Sequence, residues 1–222
     1  MEDGTISKTS GGEFILHQLL KFVANPDYTS GVISAICDGA TTLQMNNLVN
    51  VVNELKRKLD LIEKQTGCDI YCSSPVFTDD ILPVLQKAKD EVNNKKRRLY
   101  VTFMVACIHP DSLNCKNKTI YLKLLDQLDY LSIYILNILN NYRTEKQLIE
   151  IIGANYDKDA ILVHLYTLKS LDLVDKISAE EFVAMHKHRG SIGIRNRGNV
   201  FLYKRSYLGD QFMDFIIKGV PE

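Results

Sequence analysis

The chain has 222 residues, of which 45% are hydrophobic and 24% are charged, and its 27 basic and 27 acidic residues give no net charge. Such a chain can bury the core of one or two globular domains, but only a local cluster of basic side chains could attract nucleic acid. It contains no apolar run of the roughly 20 residues that a membrane span needs, and its N-terminus lacks the pattern of a signal peptide, so we expect a cytoplasmic protein.

Residues 1–12 are polar, and we predict that they are flexible. Residues 13–118 are predicted to form an α-helical domain, which begins with a helix over residues 13–23. A long helix then starts after Thr41 or Thr42 and ends near Thr66, where Gly67 follows as a helix terminator. Its apolar residues are spaced by four and three, as in a heptad seam: Leu48, Val52, Leu55, Leu59 and Ile62. This pattern fits either an amphipathic helix packed on its own domain or a helix that pairs with a partner or a second copy.

A further long helix is predicted over residues 78–106, with Pro83 tolerated in its first turn. Its middle holds the densest basic run of this half, Lys95-Lys-Arg-Arg98. A basic run on a helix fits a solvated face, and it also fits a patch for nucleic acid or for an acidic partner.

Residues 119–222 are predicted to form a second domain. It begins with a broadly apolar helical stretch over residues 120–139, which we expect both domains to bury. Thr144 and Gln147 form the pattern of a capping box, and the short helix behind them stops at Gly153. Asp157 can cap the next helix. A short helix, a tight turn and a longer helix are typical of a helix-turn-helix.

The third helix of this domain is predicted to expose side chains that could face the major groove of DNA: Lys158, His164, Thr167 and Lys169. Asp157 and Asp159 stand at the leading end of the same helix, which weakens that interpretation. The segment that follows, residues 185–205, contains no acidic residue and predicts a two-stranded wing. Its basic residues are Lys187, Arg189, Arg195, Arg197, Lys204 and Arg205. An arginine-bearing hairpin could track phosphates or enter a minor groove, or it could be a solvated hairpin or meet an acidic protein.

The sequence from Leu165-Tyr-Thr-Leu168 to Leu171-Asp-Leu-Val174, with Tyr207-Leu-Gly209 and Phe212 after the wing, resembles the winged-helix pattern of prokaryotic regulators. The layout of residues 78–217 also resembles the bacterial abortive-infection alpha-like proteins. That resemblance implies a role in phage resistance or a related toxin-like function, and it brings no catalytic residues with it. The fold expected is therefore mainly α, with a helical N-terminal domain and a winged helix-turn-helix domain.

The five cysteines are expected to be free thiols, and no spacing of cysteine and histidine matches a usual zinc site. We predict no metal, no cofactor and no enzymatic activity. The function expected is a binding protein that contacts DNA through the wing as a regulator or a phage-defence component and that can pair with a protein partner or a second copy. The alternative is a protein-interaction module that uses the same domain as a docking surface.

Overall fold

The computed structural model describes residues 39–67, 76–109, 115–186 and 200–218. The predictions for residues 1–38, including the first helix, lie outside the described residues. The fold is mainly helical with a small three-stranded antiparallel sheet. It divides into two compact units, one up to Gln127 and again from Phe215, the other from Leu128 to Asp214. The division at Gln127 differs from the domain boundary predicted after residue 118.

Helix α1 (Thr42–Thr66) begins and ends where the sequence predicts. The Thr41 hydroxyl accepts from the backbone N–H of Gln44, whose side chain accepts from the Thr41 N–H in return, so a capping box starts the helix. Gly67 ends it in a left-handed conformation, at φ 65°.

The heptad seam of α1 is buried inside its own unit. Its members are at most 7% exposed: Leu48, Val52, Leu55, Leu59 and Ile62. They pack where α1 contacts the two helices that follow, α2 (Leu82–Asp90) and α3 (Asn94–Ile108). Of the two interpretations of this helix, packing on its own domain is confirmed. The seam offers no exposed apolar surface to a partner or a second copy, so its assignment as a pairing surface is wrong.

The single helix predicted over residues 78–106 is divided. A π-helical segment (Val76–Ile81) leads into α2, where Pro83 occupies the first turn. Proline lacks a backbone N–H, and in the first turn of a helix that N–H would have no acceptor within the helix. The chain leaves α2 at Glu91, and the Asn93 side chain then accepts from the N–H groups of Lys95 and Lys96. That cap starts α3 as a separate helix.

The apolar stretch predicted as one bridging helix is also divided, into α4 (Lys118–Gln127) and α5 (Tyr130–Ile138). The Asp129 carboxylate accepts from the N–H of Ser132 and starts the second helix. Helix α4 belongs to the first unit, where Tyr100 and Lys96 of α3 hold its Asp126. This attachment explains why the division between the units follows α4 and not residue 118.

Phe215 completes the core of the first unit from the far end of the chain. Its ring lies 5.1 Å from that of Phe103 and 5.2 Å from that of Tyr121, measured between centroids. Aromatic contacts of this kind stabilise a core beyond the area they bury.

In the second unit, a two-residue strand β1 (Arg143–Thr144) precedes α6 (Glu145–Ile152) and α7 (Lys158–Ser170). The predicted capping box is confirmed, because the Thr144 hydroxyl accepts from the Gln147 N–H and the Gln147 side chain accepts from the Thr144 N–H. The predicted cap of α7 is also confirmed, since Asp157 accepts from the N–H of Asp159.

Strand β2 (Val174–Ser178) follows α7, and β3 (Phe201–Arg205) returns antiparallel to it. Strand β3 is the middle strand, because it also pairs with β1, and the sheet order is β1-β3-β2. A short helix α8 (Ala179–His186), which the sequence analysis did not predict, leaves the end of β2. Helix α9 (Tyr207–Lys218) follows β3 and ends within the first unit.

Helix α9 starts against the apolar turn that leaves α7. The backbone N–H of Ser206 donates to the Leu173 carbonyl over 3.0 Å, and the Ser206 hydroxyl accepts from the Gly209 N–H. A Cβ atom at Gly209 would lie 2.1 Å from the Leu173 oxygen. The glycine is therefore required by this close approach of helix and turn. None of the described helices is both long enough and apolar enough to cross a membrane.

Candidate nucleic-acid interface

Helix α7 presents three of its four predicted contact residues to solvent. Lys158, Thr167 and Lys169 are exposed. The Thr167 hydroxyl donates to the Val163 carbonyl over 2.9 Å, so its proton is used within the helix while its oxygen can still accept. The two lysines stand near opposite ends of α7 and can supply charge to a polyanion.

His164, the fourth predicted residue of α7, lies against α5 and not in solvent. Its side chain is 24% exposed, and its Nε2 atom lies 3.3 Å from Oδ2 of Asp129. Its Nδ1 atom lies 3.1 Å from the Ser132 hydroxyl. The prediction that His164 is exposed is therefore wrong, because two polar groups at the start of α5 hold the ring.

The same contacts place a serine, a histidine and a carboxylate in one chain, as in hydrolytic triads. Ser132, however, is only 2% exposed, and its backbone N–H already donates to Asp129. A buried hydroxyl cannot reach a substrate carbonyl. We interpret the three side chains as a tie between α5 and α7, which is the commoner role of such a buried polar group.

The two predicted contact residues on β3 differ from each other. Lys204 is half-buried, with its Nζ atom 5.6 Å from the centroid of the Tyr142 ring, a cation–π distance. The Arg205 side chain is 11% exposed, and its Nε atom lies 3.1 Å from Oδ1 of Asp210. This contact is an ion pair that lacks the geometry of a hydrogen bond, so Nε and Nη1 are buried without a hydrogen-bond acceptor among the described residues. Arg205 is thus an ion-pair partner within the chain, and its assignment as a nucleic-acid contact stays a prediction.

The four remaining predicted residues lie outside the described residues: Lys187, Arg189, Arg195 and Arg197. Their assignment to a wing stays a prediction. The structure does fix the ends of their segment, because Ser178 of β2 pairs with Phe201 of β3 and the Ala179 N–H donates to the Val200 carbonyl.

An aromatic cluster around Lys176, which the sequence analysis missed, lies beside the exposed face of α7. The Lys176 Nζ atom lies 3.7 Å from the centroid of the Phe201 ring, and within 6.0 Å of those of Tyr166 and Tyr203. One oxygen of Glu145 accepts from both tyrosine hydroxyls, at 2.6 Å from Tyr203 and 3.2 Å from Tyr166. Because Tyr203 is buried and faces this carboxylate, its pKa is raised above its ordinary value. The cluster links α6, α7, β2 and β3.

The cluster could have been found in part from the sequence, since Lys176 and Tyr203 stand on neighbouring strands and pair directly. Tyr166 and Phe201 keep 47% and 36% of their surfaces exposed. Exposed rings next to a cation can stack on bases or pack on an apolar side chain of a partner.

The charge of the described part of the second unit is not that of a polyanion-binding surface. Its basic residues are Arg143, Lys146, Lys158, Lys169, Lys176, Lys204 and Arg205. Its acidic residues are more numerous: Asp129, Glu145, Glu150, Asp157, Asp159, Asp172, Asp175, Glu180, Glu181, Asp210 and Asp214. Residues 187–199, by contrast, contain four lysine and arginine residues and no acidic residue.

Comparison with known proteins gives no relative for this chain: no family model, no curated protein and no solved structure matches it. Among the described residues, no three histidine, cysteine, aspartate or glutamate side chains are grouped as metal ligands would be.

Proposed function

We propose that residues 128–214 form a winged helix-turn-helix domain and that the protein acts in the cytoplasm by binding DNA. The observation that carries this proposal is the strand order β1-β3-β2, with α6 and α7 between β1 and β2. A helix-turn-helix flanked by such a sheet is the arrangement in which the β2–β3 connection forms the wing. The inserted helix α8 would make this wing longer than a simple hairpin.

The wing is proposed as the main DNA contact. Residues 187–199 contain Lys187, Arg189, Arg195 and Arg197 and no acidic residue, whereas the described part of the unit has more acidic than basic side chains. Lys158, Thr167 and Lys169 would add contacts from α7. As a biological role we propose regulation or phage defence, in line with the resemblance to abortive-infection alpha-like proteins.

Fluorescence anisotropy with a labelled DNA duplex tests this proposal, because phosphate contacts make affinity fall steeply with salt. The double variant Arg195→Ala/Arg197→Ala should weaken binding and reduce the slope of log K against log salt by about two. The matched control Lys64→Ala/Lys123→Ala removes two exposed positive charges from the first unit and should bind as the wild type does. Equal binding by wild type and wing variant would refute the assignment of the wing.

One observation favours a second candidate function, docking onto a second copy of the chain. The outer face of α7 exposes Val163 (61%) and Tyr166 (47%), and the preceding helix α6 exposes Ile151 (44%). Apolar side chains on this face suit a protein surface better than a phosphate backbone.

Sedimentation velocity over a range of concentrations separates the two functions. A dimer that Val163→Asp dissociates, in a chain without salt-dependent DNA binding, would support docking. Val163 suits this experiment because it is exposed. Leu55 of the α1 seam does not, since it is 1% exposed and its replacement would damage the fold.

A further inference from the structure

A cleft on the first unit lies between α1 and α3 and is lined by two arginines. Asn53, Glu54 and Arg57 of α1 and Arg98 of α3 line this cleft, which is open to solvent and has a volume of about 400 Å³. All four residues belong to the first compact unit, and none belongs to the second.

Both guanidinium groups of the cleft are available to a ligand. Arg57 and Arg98 are exposed, and neither guanidinium forms a hydrogen bond or ion pair with another residue in the described part of the chain. Arginine presents a planar fork of donors that fits two oxygens of a phosphate at once. The two guanidinium groups, on facing helices, can therefore bind one phosphate group or two linked phosphate groups.

Lys58 adds positive charge behind the cleft. It is 8% exposed, and no oxygen of a described residue accepts a hydrogen bond from its ammonium group. Burial lowers the pKa of Lys58, the carboxylate of Glu54 opposes that effect, and the charges of Arg57 and Arg98 lower the pKa further. A bound anion would offset this accumulation of like charge.

Arg98 ends the basic run Lys95–Arg98 at the start of α3, and the first turn of this helix holds no acidic residue. The positive end of the helix dipole disfavours cations in that first turn. Lys96 and Arg97 turn to other partners, since Lys96 pairs with Glu91 and donates to the Asp126 carbonyl, and Arg97 donates to the Glu91 carbonyl. Arg98 faces the cleft. Local features that oppose stability are common at functional sites.

The carboxylate of Glu54 restricts the kinds of ligand that the cleft can bind. A carboxylate beside two arginines opposes a bare phosphate, but it can accept hydrogen bonds from hydroxyl or amino groups, as acidic residues do from ribose. The lining contains no aromatic ring on which a base could stack. We propose that this cleft binds a free phosphorylated ligand of nucleotide size, held by Arg57 and Arg98 through its phosphates and by Glu54 through its hydroxyl groups.

Isothermal titration calorimetry of the full chain with ADP, inorganic pyrophosphate and a single-stranded oligonucleotide tests this proposal. ADP should bind, and GDP should bind within about threefold of it because nothing in the lining stacks the base. The double variant Arg57→Gln/Arg98→Gln should weaken ADP binding by about tenfold or more. Both arginines are exposed, so the variant should fold, which its thermal unfolding without ligand verifies.

Three further measurements separate this site from general attraction of anions. The control Lys123→Gln/Lys146→Gln loses the same charge from exposed positions outside the cleft and should keep wild-type affinity. Arg98→Lys keeps the charge but loses the fork, and it should weaken binding measurably. Glu54→Gln should reduce the preference for ADP over pyrophosphate.

Failure to bind ADP and pyrophosphate would overturn the proposal, as would equal loss in the control and cleft variants. Binding of the oligonucleotide but not of ADP, abolished by Arg57→Gln/Arg98→Gln, would also overturn it, because the phosphate would then be that of a nucleic-acid backbone. The wing variant Arg195→Ala/Arg197→Ala should bind ADP normally, so the outcome is independent of the DNA-binding proposal.

Discussion

Helices α1 and α7 are both amphipathic, both begin with a side-chain cap, and both carry residues that sequence reasoning assigned to a partner. They differ in what covers their apolar residues. The seam of α1 is buried against α2 and α3, whereas the face of α7 with Val163 and Tyr166 remains exposed. Both helices nevertheless bury one apolar stripe, which in α7 consists of Ile161, Leu165 and Leu168, and both expose apolar side chains outside that stripe, such as Val49 of α1. Spacing describes the shape of an apolar stripe but not its partner.

The largest expected difference between the two helices is in the cost of removing an apolar side chain. Leu55→Ala in α1 should lower the free energy of unfolding by about 2–5 kcal/mol, since it leaves a cavity in a closed core. Val163→Ala in α7 should change it by less than about 0.5 kcal/mol, because Val163 is exposed. Urea unfolding measures both. Similar losses in the two variants would contradict the distinction.

A smaller effect should come from the inner face of α7. His164→Ala removes the contacts with Asp129 and Ser132, and leaves the Ser132 hydroxyl buried without its partner. We expect a loss of about 1–2 kcal/mol in the free energy of unfolding. Lys169→Ala on the exposed side is the matched control and should leave stability unchanged. A His164→Ala protein as stable as the control would show that the tie is dispensable.

The two capping boxes should contribute equally to the free energy of unfolding. Thr41→Ala and Thr144→Ala each remove the hydroxyl of a capping box, at the start of α1 and of α6, the helix before α7. Each Ala variant should lower the free energy of unfolding by about 1 kcal/mol. The corresponding Ser variants keep a hydroxyl and should retain most of the wild-type stability. Thermal unfolding of the four proteins checks this, and a loss confined to one helix would indicate that its box forms only weakly.

The smallest expected effect depends on pH and concerns the attachment of α4 to α3. Burial alone would raise the pKa of Asp126, but hydrogen bonds from Lys87 and Tyr100 and the charges of Lys87 and Lys96 outweigh it and lower the pKa. A lowered pKa in the folded state adds stability that is complete above the ordinary pKa of about 4 and is lost as the pH falls through the folded value.

Asp126→Asn should therefore lower the free energy of unfolding by a few tenths of a kcal/mol near neutral pH, a value reduced by solvent because the carboxylate is partly exposed. The difference from wild type should diminish as the pH falls below about 4. Stability curves measured from pH 3 to 7 test this, with Asp214→Asn on the exposed side of α9 as control. A difference that grows as the pH falls would contradict the assignment.

Signals confined to neighbouring residues were predictable from the sequence. The capping pairs Thr41–Gln44 and Thr144–Gln147, the cap at Asp157 and the terminator Gly67 each act within one turn of chain. The helix over residues 78–106 was predicted as continuous because its apolar residues continue across Asn93, which caps the next helix instead. Asp129 has the same effect between α4 and α5.

The candidate sites were harder to predict, since exposure depends on partners distant in sequence. His164 is covered by Asp129, 35 positions earlier in the chain, and the cleft joins Arg57 to Arg98 across two helices. The ion pair of Arg205 was missed for a different reason. Its partner Asp210 is near in sequence, but only the start of α9 brings the two side chains together.

The position of Phe215 affects the order in which the two units can fold during synthesis. The first unit needs this residue against Phe103 and Tyr121, yet the ribosome adds it only after the whole second unit. Domains generally fold as they emerge from the ribosome, with the N-terminal one first. Here the aromatic site of the N-terminal unit stays unfilled until Phe215 has been added. Premature termination anywhere in the second unit would therefore leave both units incomplete.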